Sequence, residues 1–196
     1  MNRISILMGV GFFSFSAITC AQTSTVKDKD GNVYEVKKLA DGKLWIVDNL
    51  KTDLPGSHCY EDKQSNCDKY GRLYTWNQAI EGCKQLGDGW KLPTNEDWQK
   101  MLKQYGGVRD DAEDGGKAAF EALYIGGSSK FDAVLGGGRN PAGDYARIDA
   151  HGFYWTSTAS NSANAWIYNF GTNMRIVNRH DDSEKVREVA VRCFKE

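Results

Sequence analysis

Proline is nearly missing from this chain, with 3 in 196 residues, and the 21 glycines follow no repeat. A collagen or polyproline architecture is therefore excluded. An excess of either charge is missing too. The 25 Lys and Arg residues face 26 Asp and Glu, a net charge of −1. No general field draws the chain to nucleic acid or to an anionic membrane, so neither is expected as a partner. No apolar run reaches the roughly 18–20 residues of a good permanent membrane span. Also absent are a Gly-x-Ser-x-Gly elbow, a His-Glu-x-x-His zinc helix, a Walker loop and a dinucleotide fingerprint. What is present is ordinary globular material. Forty per cent of the residues are apolar, 26% are charged, and 12% are aromatic, six of them Trp. That length and composition suit one α+β domain with a real core.

The first 21 residues read as a secretory signal. Arg3 gives a positive start, an apolar stretch runs from Ile4 to Ile18, and Thr19-Cys20-Ala21 offers a cleavage site before Gln22. Cys20 has an alternative reading as a lipidated first residue, which would be the only link to a membrane. Either way the expected location is extracytoplasmic, secreted or at the outer surface. The four remaining cysteines, Cys59, Cys67, Cys83 and Cys193, are an even set in an oxidising compartment and predict two disulfides. Cys59 and Cys67 bracket a polar loop that suits a local clip, which leaves Cys83 with Cys193. Their spacing lacks the paired form of a zinc site.

Polar residues 22–30 read as a linker, followed by a domain over residues 31–196. Val33-Tyr34-Glu35-Val36 alternates, Asp41-Gly42 turns, and Leu44-Trp45-Ile46-Val47 returns, which predicts a hairpin. Trp76, Ala79, Ile80 and Cys83 share a helix face. Thr94, with Asp97 three residues on, caps a second helix carrying Trp98, Met101 and Leu102. Residues 106–152 are Gly-rich and read as loop, apart from a short helix over 117–123. The chain then returns to strands at 153–157, 165–170, 174–177 and 189–194, with a three-residue loop at Gly171-Thr172-Asn173 joining the second to the third. The sum is an α+β domain ending in a β-meander.

The ordered motifs resemble a known family. They are Cys59-Tyr60 through Cys67, Tyr70-Gly71-Arg72-Leu73-Tyr74-Thr75-Trp76, Gly89-Trp90-Lys91-Leu92-Pro93-Thr94, Tyr154-Trp155-Thr156-Ser157-Thr158 and Val191-Arg192-Cys193. In this order they look like the Fibrobacter succinogenes major paralogous domain, over roughly residues 31–196. The resemblance implies a secreted or surface-attached protein with a C-type lectin-like fold, in which a helix cysteine also pairs with the last strand. It implies no established activity.

Chemistry is sparse. His58, His151 and His180 are scattered, each placed on a polar loop. Asp110 to Glu121 resembles a calcium loop, but Ala112 and Ala118 break the ligand alternation, so calcium is not favoured and no cofactor or metal is expected. The primary reading is a non-enzymatic binding module for a carbohydrate or protein partner. Its ligand-binding groups would be Phe131, Arg139, Asn140, Tyr145 and Arg147 from the Gly-rich region, helped by segments 156–164 and 178–186. Trp76, Trp90, Trp98 and Trp155 would be buried scaffold. The alternative is a secreted hydrolase using Asp132, Asp144 or Asp149, which requires paired carboxylates roughly 5–9 Å apart across a cleft.

Overall fold

The computed structural model describes residues 24–196; the expected signal and Cys20 lie outside them. Two sheets and four helices make a mixed α+β domain. Strands β1 (Ser24–Lys27), β2 (Val33–Lys38), β3 (Leu44–Ile46) and β9 (Phe194–Lys195) form an antiparallel sheet in that order. The second sheet runs β5 (Tyr145–Ile148), β4 (Gly136–Arg139), β6 (His151–Ala159), β7 (Asn164–Gly171) and β8 (Ile176–Glu184). Helices α1 (Gln64–Tyr70), α2 (Trp76–Lys84), α3 (Asn95–Lys103) and α4 (Lys117–Leu123) lie between β3 and β4 in the chain.

The predicted hairpin forms around Asp41-Gly42, with Gly42 at φ 81° and Trp45 Nε1 donating to Asp41 Oδ2 at 3.0 Å. Thr94 and Asp97 close α3 reciprocally. The Asp97 amide donates to Thr94 Oγ1 at 3.0 Å, and the Thr94 amide donates to Asp97 Oδ2 at 2.9 Å. Both predicted disulfides are present, Cys59–Cys67 and Cys83–Cys193, the second joining α2 to the chain just before β9.

Alternation along β6 divides the interior. Phe153 and Trp155 pack with Ile46, Tyr74, Ala79 and Cys193 in one cluster. Tyr154 points the other way, into a cluster with Trp45, Trp98, Phe131 and Phe170. Trp98 is its hub. It stacks on Tyr168 at 5.1 Å and meets Trp45 and Phe131 edge-on at 5.3 and 5.8 Å. Trp90, Trp98 and Trp155 are buried as expected, but Trp76 is half-buried. It sits at the first position of α2 with one face open to the Lys185 ammonium, 4.5 Å from its ring.

Four sequence expectations require correction. Residues 24–27 are not linker: they pair with β2 along the backbone and only Val26 packs toward the core, so a mostly exposed polar strand gave little apolar signal. The Gly-rich stretch contains the β4–β5 hairpin. Its glycines are strand residues because a Cβ on Gly137 would lie 2.5 Å from the Ala146 carbonyl oxygen. The loop between β7 and β8 has four residues, since Gly171 pairs with Ile176 and Arg175 takes φ 51°. Segment 178–186 is therefore mostly strand. The last extended segment does not continue the meander. Residues 189–194 run fully buried between the sheets, where the Val191 carbonyl accepts from the Leu50 amide and the Ala190 carbonyl from the Trp155 amide. Alternation identifies an extended buried segment without naming its neighbours.

The same polar entry holds a buried carboxylate. Asp28, 7% exposed, accepts through Oδ2 from the Tyr34 hydroxyl and Thr52 Oγ1, each at 2.7 Å, and from Asn32 Nδ2 at 2.9 Å. Burial alone would raise its pKa, but the Asn32, Tyr34 and Thr52 donors outweigh burial and hold it below the usual aspartate value. Stability from a lowered folded-state pKa is fully present above the unfolded value and lost as pH falls through the folded one. Asp28→Asn should therefore cost about 1.5–3 kcal/mol at neutral pH, with the gap from the parent closing below about pH 4. Thermal melts between neutral and acid pH measure this. A constant gap across that range contradicts it.

Candidate functional site

Strand register lines up the open face of the larger sheet. Phe153 pairs with Asn169, which pairs with Asn178; Trp155 pairs with Ile167, which pairs with His180; His151 pairs with Gly171, which pairs with Ile176. Side chains of cross-strand partners share a face. One end of that face is covered by the core cluster around Trp155. The other end stays open, and it carries imidazoles and amides.

The open part forms two adjoining depressions of about 320 and 340 Å³ that share Arg147, His151, Asn169 and His180. The first extends past Asn178 to Arg109 and Met174. The second extends past Phe153 to Asp182 and Arg187. Together they make an elongated trough within the size range of small-ligand sites.

Its groups are held by one another. His151 Nδ1 lies 2.9 Å from Asn169 Oδ1, an acceptor, so the ring carries its hydrogen on Nδ1; Nε2 then accepts from Arg147 Nη1 at 3.3 Å. The His151 ring stacks on Phe153 with centroids 5.5 Å apart and planes 5° apart. The Arg187 guanidinium lies 4.7 Å over the same Phe153 ring. Arg147 itself sits at φ 70°, a left-handed conformation that is strained for a residue with a side chain.

Of the five residues singled out from sequence, only Arg147 lies in the trough. Phe131 is a correction: it is fully buried, edge-on to Trp45 and Trp98, because the Gly-rich segment folds back into the core. Arg139, Asn140 and Tyr145 form the β4–β5 hairpin and are engaged internally. Arg139 Nη1 pairs with Glu188 Oε1 at 2.6 Å, and the Glu188 carboxylate also meets His58 Nδ1 at 2.7 Å. The Tyr145 hydroxyl donates to Asp62 Oδ1 at 2.8 Å; burial and then that carboxylate push its pKa up to about 12. Asn140 Oδ1 accepts from the Asp144 amide and shapes the turn.

The three carboxylates weighed for hydrolysis serve separate local purposes. Asp132 Oδ1 accepts from the Gly126 amide, Asp144 Oδ2 accepts from Asn140 Nδ2, and Asp149 Oδ1 accepts from the Tyr70 hydroxyl. Asp132 and Asp149 line different depressions, neither of them the trough. In the acidic stretch, Asp111 Oδ1 accepts from the Val108 amide and Asp114 accepts from the Gly116 and Ala118 amides at the start of α4. Among the described residues no group of three or more His, Cys, Asp or Glu side chains is placed to hold a metal ion.

His151 and His180, expected on scattered loops, instead lie on strands and line the same two depressions on one sheet face. The signal for them was present as polar residues at period two, Asn178, His180 and Asp182, continuing the phase of Ile176. That pattern marks a strand with one watered face.

An α+β domain stapled by two disulfides, with an open polar trough on its larger sheet, is what these residues build. The chain belongs to the Fibrobacter succinogenes major domain family, whose model matches residues 29–195. No curated protein and no solved structure matched the chain.

Proposed function

We propose that the chain is an extracytoplasmic binding module, C-type lectin-like in fold, that holds an extended oligosaccharide in the trough over β6, β7 and β8. The observation that carries this reading is the composition of the trough: amides and imidazoles aligned across three strands, with Phe153 beneath them. Sugars present hydroxyls along their edges and C–H groups on their faces. Asn and His side chains supply directional donors and acceptors for the first, and the half-buried His151 ring, stacked on the buried Phe153, supplies a flat face for the second. The length of the trough suits a polymer. Two disulfides and the expected export signal support a place outside the cytoplasm. Among the described residues no helix is long and apolar enough to cross a membrane.

The test is a panel of polysaccharides and unstructured peptides presented to the mature chain. Retention of at least one glycan, weakened by about tenfold or more in Asn169→Ala and Asn178→Ala with unchanged melting, is the expected result. Retention of peptides alone assigns the trough to a protein partner instead. Cleavage of any glycan on the panel would replace the binding reading with the hydrolytic one.

A further inference from the structure

The trough is electrically lopsided. Arg109, Arg147 and Arg187 line it, against the single carboxylate of Asp182. Elsewhere Arg72, Arg139 and Arg175 each pair with a carboxylate of the chain. Among the described residues none of the three trough arginines does. Asp182 and Glu184 act on Arg187 only from a distance, forming no ion pair with it.

Arg187 is the least satisfied of them. It is half-buried, and its Nε is buried with no hydrogen-bond partner among the described residues. Burial, and then the charge of nearby Arg147, push the guanidinium below its ordinary pKa. Two like charges facing one depression, one of them desolvated and short of an acceptor, are unfavourable when the depression holds only water. Guanidinium groups match oxyanions with parallel N–H donors, and a desolvated one binds more strongly than a solvated one. The Arg147 side chain uses one nitrogen on His151 and keeps its remaining donors free.

We infer that the Arg147 and Arg187 end of the trough binds an anionic substituent on a sugar, a carboxylate or a sulfate ester, so that the ligand is an acidic rather than a neutral polysaccharide. This rests on the reading of the trough as an oligosaccharide site and specifies its ligand. Neutral rings would lie along Asn169 and Asn178, with the anion between the Arg147 and Arg187 guanidinium groups. The trough would then select by charge at one end and by hydroxyl pattern along its length.

The experiment compares one backbone in three forms: neutral dextran, carboxymethyl dextran and dextran sulfate, titrated by calorimetry into the mature chain at about 150 mM salt, where nonspecific attraction is screened. A charged form should bind at least about tenfold tighter than the neutral one. Carboxymethyl against sulfate identifies which oxyanion fits. Arg147→Asn removes the guanidinium while keeping a residue that tolerates the left-handed backbone, and should lose about tenfold or more. Arg187→Lys keeps the charge but loses the fork and should lose affinity with near-native melting. Lys100→Gln, on α3, paired with Glu96 and lining neither depression, should change nothing. Equal binding of neutral and charged dextrans overturns the inference. So does equal loss in Arg147→Asn and Lys100→Gln, which would mark diffuse attraction. If charged dextrans fail to bind while the polysaccharide panel finds a neutral ligand sensitive to Asn169 and Asn178, the anion inference falls and the oligosaccharide reading stands.

Discussion

Replacing Cys83 and Cys193 together by alanine should lower the melting temperature by about 10–20 °C, the counterpart of about 4–5 kcal/mol of lost stability. The bridge closes a separation of 110 residues, nearly the whole distance from α2 to the C-terminal strand. Without it the unfolded chain gains the freedom of that loop. The folded chain keeps its contacts but loses the tether on residues 189–194, the buried strap bonded to both sheets. The Cys59–Cys67 bridge spans only 8 residues, so its removal should cost less, about 2–3 kcal/mol. Calorimetry of the two double-alanine variants ranks them. A larger loss from the short bridge would contradict the account of the strap.

The second large effect is expected at Trp98. Trp98→Ala removes the ring on which Trp45, Phe131, Tyr154 and Tyr168 converge, and should cost about 3–5 kcal/mol. Four rings with fixed orientations cannot close around the space without leaving their own rotamers. Trp98→Phe should be far milder. Trp98 Nε1 has no hydrogen-bond partner among the described residues, so the smaller ring forfeits packing alone. Trp76→Ala should also cost less than Trp98→Ala, because Trp76 is only half-buried, although its Nε1 donates to the carbonyl of buried Thr156. Urea denaturation of the three variants checks the order. A Trp98→Ala variant within about 1 kcal/mol of the parent would show that the aromatic cluster is not the centre of this core.

Much of this fold was legible in the residues, and the reasons are local. The Asp41-Gly42 turn, the Thr94–Asp97 cap, the short helix at Lys117–Leu123 and both disulfides each depend on neighbours in sequence or on cysteine arithmetic. Helix α1 escaped because it buries only Cys67 and Tyr70, leaving no apolar stripe to read. Strand β4 escaped because Gly136, Gly137 and Gly138 look like loop; only the close backbone of β5 at Gly137, and the tight approach of Glu188 to Gly138 and of Tyr70 to Gly136, show why small residues stand there. The candidate site was largely illegible. His151, Asn169 and Asn178 meet through strand register, and Arg147 on β5 and Arg187 just past β8 join them through the fold, long-range properties that no local pattern states. Phe131 looked exposed because its neighbours are polar, yet Arg192 reaches it from the far end of the chain. That buried guanidinium donates to the Phe131 and Asp132 carbonyls at 2.8 and 2.9 Å and lies 4.6 Å over the Phe131 ring.

The functional reading turns on placing the site on the open sheet face, with Arg147 at its border, rather than at Arg139, Asn140 and Tyr145 of the β4–β5 hairpin. Amide chemical-shift mapping of the mature chain, titrated with the polysaccharide it retains, tests it most directly. Perturbations are expected to concentrate at Arg147, His151, Asn169, Asn178, His180 and Arg187, with Asn140 and Tyr145 unmoved. Perturbations concentrated at Arg139, Asn140 and Tyr145, with the trough residues silent, would contradict it.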